Sequence, residues 1–270
     1  MKLFVALLAF SFSGLLYAND VRLVQAFSSI GQRYGSDWQN TFAEVAVRKA
    51  DDPSTQKVSV VLDDCSGGWA NVEASFARDI GDEYELWSVR NLNRVFPEET
   101  NENQFYTKIC DLRFAVRYDW DGKTAWDSNL NQNYYLGAQD GALITHPIYL
   151  NEVSLDNTLG GFRSLILSGS IYVQNLRPSK RVSVVYTTDG WETENRVEAR
   201  YEPYQYFAYS SVESPNALGT EYWTFSATIP PVEEVQFYLL YEVDARKIWD
   251  NNWGNNYTVK RTSDGLRSLQ

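Results

Sequence analysis

Two stretches of this sequence place a tryptophan, an aspartate and several asparagines at one common spacing. Trp126-Asp127-Ser128-Asn129 is followed by Asn133-Tyr134, and Trp249-Asp250-Asn251-Asn252 by Asn256-Tyr257. An asparagine side chain offers both a carbonyl acceptor and N–H donors, which suits the vicinal hydroxyls of a sugar. A flat indole beside it suits the C–H face of a pyranose, and a few placed polar groups then fix orientation. Trp69 in DDCSGGWANVE and Trp191 in TTDGWETEN lie in polar turns rather than in apolar runs, so both rings are expected at the surface. Asp and Asn also accept left-handed backbone and hydrogen-bond their own main chain, so hairpin chemistry alone accounts for part of each motif. A turn does not, however, require a tryptophan beside it or amides at both ends.

Other chemistry is poorly served. The 270 residues include one His and two Cys, too few for a four-ligand His/Cys zinc site. A Ser-His-Asp triad would have to use His146, directly before Pro147. No Gly-rich phosphate loop of the required spacing occurs, and no cofactor is implied. The net charge of −11 opposes binding to a phosphate backbone or an anionic membrane surface. Neutral ligands remain, and an aromatic share of 15% (9 Trp, 18 Tyr, 13 Phe) suits them.

The elements that position these residues come as a repeat. DLRFAVRYDWDGKTAWDSNLNQNYYL at 111–136 aligns without a gap on EVQFYLLYEVDARKIWDNNWGNNYTV at 234–259. KVSVV at 57–61 matches RVSVV at 181–185, each followed by a polar turn and a tryptophan. Leu86-Trp87 matches Tyr222-Trp223. The ordered matches predict two copies of one module, at 20–138 and 143–262, with a short linker around Gln139–His146. Runs rich in β-branched residues, such as KVSVVLDD and RVSVVYTT, read as half-buried strands. Gly, Pro, Asn and Asp punctuate them, and no amphipathic helix of convincing length is present. The expected fold class is all-β: two immunoglobulin-like antiparallel β-sandwiches in tandem.

Residues 1–18, MKLFVALLAFSFSGLLYA, read as a secretory signal peptide with Lys2 as its charged start and Ala18 at the cleavage point. Secretion or export to a periplasm follows, and an oxidising compartment makes a Cys65–Cys110 disulfide the expected state of the two cysteines. No other segment is apolar and long enough to span a membrane.

The second copy resembles the family 21 carbohydrate-binding modules, found in fungal glucoamylases and in glycogen-targeting phosphatase subunits. The resemblance rests on LSGSIYVQNLRPSKRVSVVYTTDGW (167–191), EYWTFSA (221–227) and FYLLYEVDARKIWDNNWGNNY (237–257). It implies an eight-stranded immunoglobulin-like sandwich that binds α-1,4-glucans such as starch and glycogen. The family's main sugar site falls on Trp191, Tyr238 and Trp249, with Asn251 and Asn252 in the polar loop. In the first copy that site falls on Trp69, Ala115 and Trp126, so its middle ring is missing, with Asn129 in the equivalent loop. A second aromatic site of the family falls on Ser54, Phe76 and Tyr84 in the first copy and on Pro178, Tyr201 and Thr220 in the second, which keeps only one ring.

The leading expectation is therefore a secreted, non-catalytic α-glucan-binding protein, with service to a secreted amylolytic enzyme as the implied partnership. A structural or adhesive sandwich pair, binding another glycan or a protein, is the alternative. A glycosidase would need a carboxylate pair, for which Asp121, Asp244 and Glu242 are the candidates, though a solvated strand end explains each. A phosphatase-targeting role would need an Arg/Lys-Val-x-Phe string, and KVSV, RVSV and RVFP all lack the final Phe.

Overall fold

The computed structural model describes residues 20–63, 67–92, 94–95, 106–107, 109–157, 164–207 and 209–261. The signal-peptide reading of residues 1–18 and one end of the Cys65–Cys110 pair lie outside these residues. No described cysteine is free.

The first half runs through β1 (Val21–Arg33), β2 (Ser36–Arg48), β3 (Lys57–Asp63), β4 (Trp69–Glu73), β5 (Ser75–Ile80), β6 (Tyr84–Arg90), β7 (Arg94–Val95), β8 (Tyr106–Thr107), β9 (Leu112–Trp120), β10 (Lys123–Asp127) and β11 (Tyr134–Leu136), then β12 (Gly141–Ile144). The second runs through β13 (Ile148–Asn157), β14 (Leu165–Gln174), β15 (Lys180–Thr187), β16 (Asn195–Glu198), β17 (Arg200–Glu202), β18 (Tyr204–Phe207), β19 (Ser210–Glu213), β20 (Thr220–Ile229), β21 (Glu234–Val243), β22 (Arg246–Asp250) and β23 (Tyr257–Lys260).

Both halves wind alike. One sheet of the first half has the order β1-β2-β6-β5, and its counterpart has β13-β14-β20-β17. The facing sheets have the orders β10-β9-β3-β4 and β22-β21-β15-β16, with β11 on β9 and β23 on β21. All pairings within these sheets are antiparallel. Alternation explains which face is buried. In β9, Leu112, Phe114, Val116 and Tyr118 point inward, and in β21 Val235, Phe237, Leu239, Tyr241 and Val243 do. They meet Val58, Val60 and Leu62 of β3, or Val182 and Val184 of β15, and each half has its own core.

The segment read from sequence as a linker is a strand. Residues of β12 pair with β1, from Gln25 opposite Ile144 to Ser28 opposite Gly141. A third buried cluster joins the halves: Val24, Phe27, Ala46, Ile80, Tyr84 and Leu86 pack with Ala142, Ile144, Tyr149, Tyr172 and Val212. Tyr149 Oη donates to Glu44 Oε2 at 2.5 Å across this junction, and Arg78 donates to Asn252 Oδ1 at 2.8 Å.

Candidate functional site

The strongest concentration of predicted residues lies on the outer face of the sheet that contains β21. Tyr238 and Leu240 alternate outward from the inward-facing Phe237, Leu239 and Tyr241. Trp249 on β22 stands opposite Leu240, and Val185 on β15 stands opposite Tyr238. Trp191 arrives from the loop after β15 and stacks on Tyr238, with ring centroids 5.8 Å apart and planes 20° apart. Trp191, Tyr238 and Trp249 thus lie on one sheet face with Leu240 among them, Trp249 49% exposed, the Trp191 and Tyr238 rings half-buried and Leu240 buried.

The loop that carries Trp191 is rigidly stapled. Gly190 and Trp191 both have left-handed backbone, at φ 69° and 71°, and a glycine is the natural residue for the first of these. Asp189 holds the turn, accepting from Thr187 Oγ1 at 2.7 Å and from the Thr193 N–H at 3.0 Å. Those hydrogen bonds, led by the Thr193 hydroxyl, draw the Asp189 carboxyl down to about 2. The indole Nε1–H donates to Gln236 Oε1 at 2.7 Å, so Gln236 fixes the ring's rotation. Sequence reasoning missed Asp189, Gln236 and Leu240. The signal for the last two was present, because 236, 238 and 240 share one strand face.

The Asp-Asn motif does something other than expected. The motif groups Asp250 with the candidate sugar-binding residues, but its side chain is buried and bonded within the fold. Its carboxylate accepts from Tyr257 Oη at 2.8 Å, from the Leu150 N–H at 3.2 Å and from the Asn252 N–H at 3.3 Å. Leu150 flanks a register shift between β13 and β14. Asp250 therefore satisfies an outward-facing main-chain donor on the edge strand β13, next to that register shift. Burial pushes its carboxyl pKa up and pushes the Tyr257 hydroxyl well up.

Asn252 is likewise buried and not a free amide. Its Nδ2 donates to Asn256 O at 3.1 Å, and its Oδ1 receives Arg78. Asn252, Trp253 and Gly254 have φ of 51°, 56° and 99°, and the Asn252–Asn256 bond closes this left-handed turn. The half-exposed Asn251 uses only its Oδ1 in these bonds, accepting from the Gly254 N–H at 3.1 Å. Asn256 contributes its backbone carbonyl, not its side chain, to the loop closure.

The first half repeats the scaffold and alters the surface. Asp127 accepts from Tyr134 Oη and the Leu23 N–H, both at 2.8 Å, and from the Asn129 N–H at 3.2 Å. Asn129 Nδ2 closes its loop on Asn133 O at 3.2 Å, so Asn129 too is a loop-closing residue. Trp69 and Trp126 are 54% and 52% exposed. Between them Ala115 takes the position of Tyr238 and Arg117 that of Leu240. The Arg117 guanidinium lies 5.6 Å from the Trp126 ring centre.

At the second aromatic site, Phe76 is exposed and meets Trp87 edge-on at 6.2 Å. Tyr84 corrects the sequence expectation. It is buried in the junction between the halves, with Arg48 over its ring and hydrogen-bonded to its hydroxyl at 3.2 Å. The sequence could not show that the second half covers it. In the second half, Tyr201 meets Trp223 edge-on at 5.8 Å, and Thr220 is buried.

The carboxylates considered for hydrolysis have ordinary duties. Arg196, 2.5 Å away, holds the Glu242 carboxyl below its usual range. Asp244 pairs with Arg177 at 3.5 Å, and Asp121 accepts from Thr55 Oγ1 at 2.9 Å. Among the described residues no group of His, Cys, Asp and Glu is placed to hold a metal, and no helix is long and apolar enough to cross a membrane.

Residues 142–260 match the family described as carbohydrate/starch-binding module (family 21). The matched segment is under half of the chain. The module is similar to part of glucoamylase 1 of Rhizopus oryzae, at 39% identity over 95 residues, which is 34% of this chain and 14% of that protein. It is also similar to protein phosphatase 1 regulatory subunit 3C of Bos taurus, at 29% identity over 115 residues, covering 40% of this chain and 32% of that one. Among solved structures it matches the starch-binding domain of Rhizopus oryzae glucoamylase, in complex with β-cyclodextrin and maltoheptaose. The identity is 30% and the TM-score 0.33, over 43% of this chain and 95% of the domain. The chain thus spans about a third or less of these curated relatives' own lengths.

Proposed function

We propose that this chain is a secreted, non-catalytic binder of α-1,4-glucan, holding starch or glycogen through the outer face of the family 21 module. The observation that carries this reading is the stacked Trp191–Tyr238 pair on the same sheet face as the exposed Trp249, with the Trp191 ring and loop held by Gln236 and Asp189. Preset rings bind with little further loss of conformational entropy. The first half, with the same strand order, is read as a diverged second module, in which Trp69 and Trp126 flank a gap and contribute weakly. A polymer presents its sugar many times, so even a weak second contact acts as an intramolecular one.

Export through residues 1–18, a Cys65–Cys110 disulfide and service to a secreted amylolytic enzyme complete the proposal. Docking to a phosphatase, suggested by the name of the bovine relative, finds no support in the two central basic strings. KVSV and RVSV lie within β3 and β15, where Val58, Val60, Val182 and Val184 are buried.

The test is native electrophoresis of the exported protein in gels containing soluble starch, with dextran as the control polymer. Retardation by starch alone is expected. Equal mobility in both gels would overturn α-glucan binding. Thiol titration with and without reductant checks the disulfide, and secretion of a fused reporter checks residues 1–18.

A further inference from the structure

The second half carries an element with no equivalent in the first. Only residues 81–83 separate β5 from β6, whereas residues 203–219 separate β17 from β20 and build the β18–β19 hairpin. The hairpin is not loose. Its inner face is anchored by Gln205 Nε2, which donates to the buried Tyr172 hydroxyl at 2.8 Å. Val212 seats on Gly141, where a Cβ would come within 2.5 Å of its side chain. Phe207 meets the first-half Phe27 edge-on at 5.1 Å. Two further bonds, Gln32 N–H to Tyr209 O at 2.9 Å and Gln139 Nε2 to Ser211 O at 2.7 Å, tie its tip to the first half.

The outer face is left to solvent. Tyr204 and Tyr206 alternate onto it, 40% and 76% exposed. Their ring centroids are 5.8 Å apart with planes tilted by 37°, and 5.8 Å is also the spacing of Trp191 and Tyr238. Across the hairpin, Glu213 stands opposite Tyr204 and Ser211 opposite Tyr206, both exposed. Neighbouring rings are engaged elsewhere: the Arg33 guanidinium lies 4.7 and 4.6 Å from the Tyr34 and Tyr209 ring centres. Adjoining exposed rings on an anchored element form a contiguous apolar surface, the kind that marks interaction sites.

We infer that Tyr204 and Tyr206, with Ser211 and Glu213, form an additional binding site for a short stretch of α-linked glucan. The inference rests on the proposed α-glucan reading and adds a site outside the sheet face on which that reading depends. Two rings inclined to each other match a chain whose successive sugars turn, as α-1,4-linked glucose does, better than a flat ribbon. A carboxylate and a hydroxyl at the rim accept and donate to sugar hydroxyls, and Glu213 repels an anionic ligand.

The experiment uses the full exported chain and soluble starch in native gels, with maltoheptaose titrated by calorimetry. Y204A/Y206A changes only outward-facing side chains, and a thermal melt verifies that the fold persists. The expected result is an approximately threefold or larger fall in starch retardation and loss of one unit of maltoheptaose stoichiometry, with main-site binding intact. In a W191A/W249A background, the residual starch retardation should fall again when Y204A/Y206A is added. Residual binding that ignores the tyrosine changes would overturn the hairpin site, as would unchanged stoichiometry. A change in sedimentation rather than in starch affinity would also overturn it, by making the pair a protein contact. Absence of starch binding in the unaltered chain would overturn the α-glucan reading itself, which separates the two failures.

Discussion

The outer faces of the two β9- and β21-containing sheets form a comparison within one chain. Both rest on the same scaffold, down to an aspartate that accepts a main-chain N–H beside a register shift and an asparagine that closes the following loop. What differs is the row of side chains between the end rings. The second half has Tyr238 and Leu240 there, and its Trp191 stacks on Tyr238. The first has Ala115 and Arg117, and its tryptophans stand apart. The same strand order thus carries two different outer faces. The residues that hold the sandwich shut are repeated, while the side chains on the outer sheet face differ, including the buried pair Leu240 and Ala115.

The largest effect should come from removing the end rings of the second half's face. At about 1.5 kcal/mol per stacked ring, W191A/W249A should weaken starch binding roughly 100-fold, measured by affinity electrophoresis. W69A/W126A should cost threefold or less, and equal losses would erase the asymmetry. Next in size, Asp250→Ala leaves the Tyr257 hydroxyl and the Leu150 N–H without their acceptor in a buried setting. That should destabilise the fold by about 3 kcal/mol in chemical denaturation. The equivalent Asp127→Ala, at a half-exposed position, should cost about half as much. A smaller gain is expected from grafting: A115Y/R117L places the second half's side chains in the first half. Read in the W191A/W249A background, it should raise starch affinity about fivefold, or about 1 kcal/mol.

The smallest effect is one of pH. The folded pKa of Asp189 lies below its unfolded value, so its ionised form favours the folded loop. That contribution is fully present above about pH 4 and is lost as the pH falls through about 2. Carboxyl NMR should show Asp189 titrating near 2. The Trp191 fluorescence response to maltoheptaose should persist at pH 4.

The architecture was legible because alternation and repetition are local signals. VSVV in both copies gives the inward and outward faces directly, and the repeated Trp-Asp motif gives the register of the loops. Trp191 and Trp249 were legible from their polar surroundings, but Tyr238 and the union of the three came only with the family resemblance, since nothing in the string places three separated rings on one face. The duties of Asp250 and Asn252 were not legible. A carboxylate that accepts a main-chain N–H and one that meets a sugar are spelled identically, and Leu150 is 100 residues away. The burial of Tyr84 depends on how two halves dock, which neither copy's pattern encodes. The hairpin tyrosines carry no such signal, because an insertion has no partner in a repeat alignment.

The pairing of β12 with β1 bears on how this chain can be divided. The family match begins at residue 142, inside β12 (Gly141–Ile144). A cut at that point would remove from the first half the strand that covers the edge of β1, and bare edges invite intermolecular pairing and precipitation. It would also strip Arg78 from the Asn252 loop. A cut made at the alignment boundary therefore misses the structural seam between the two halves.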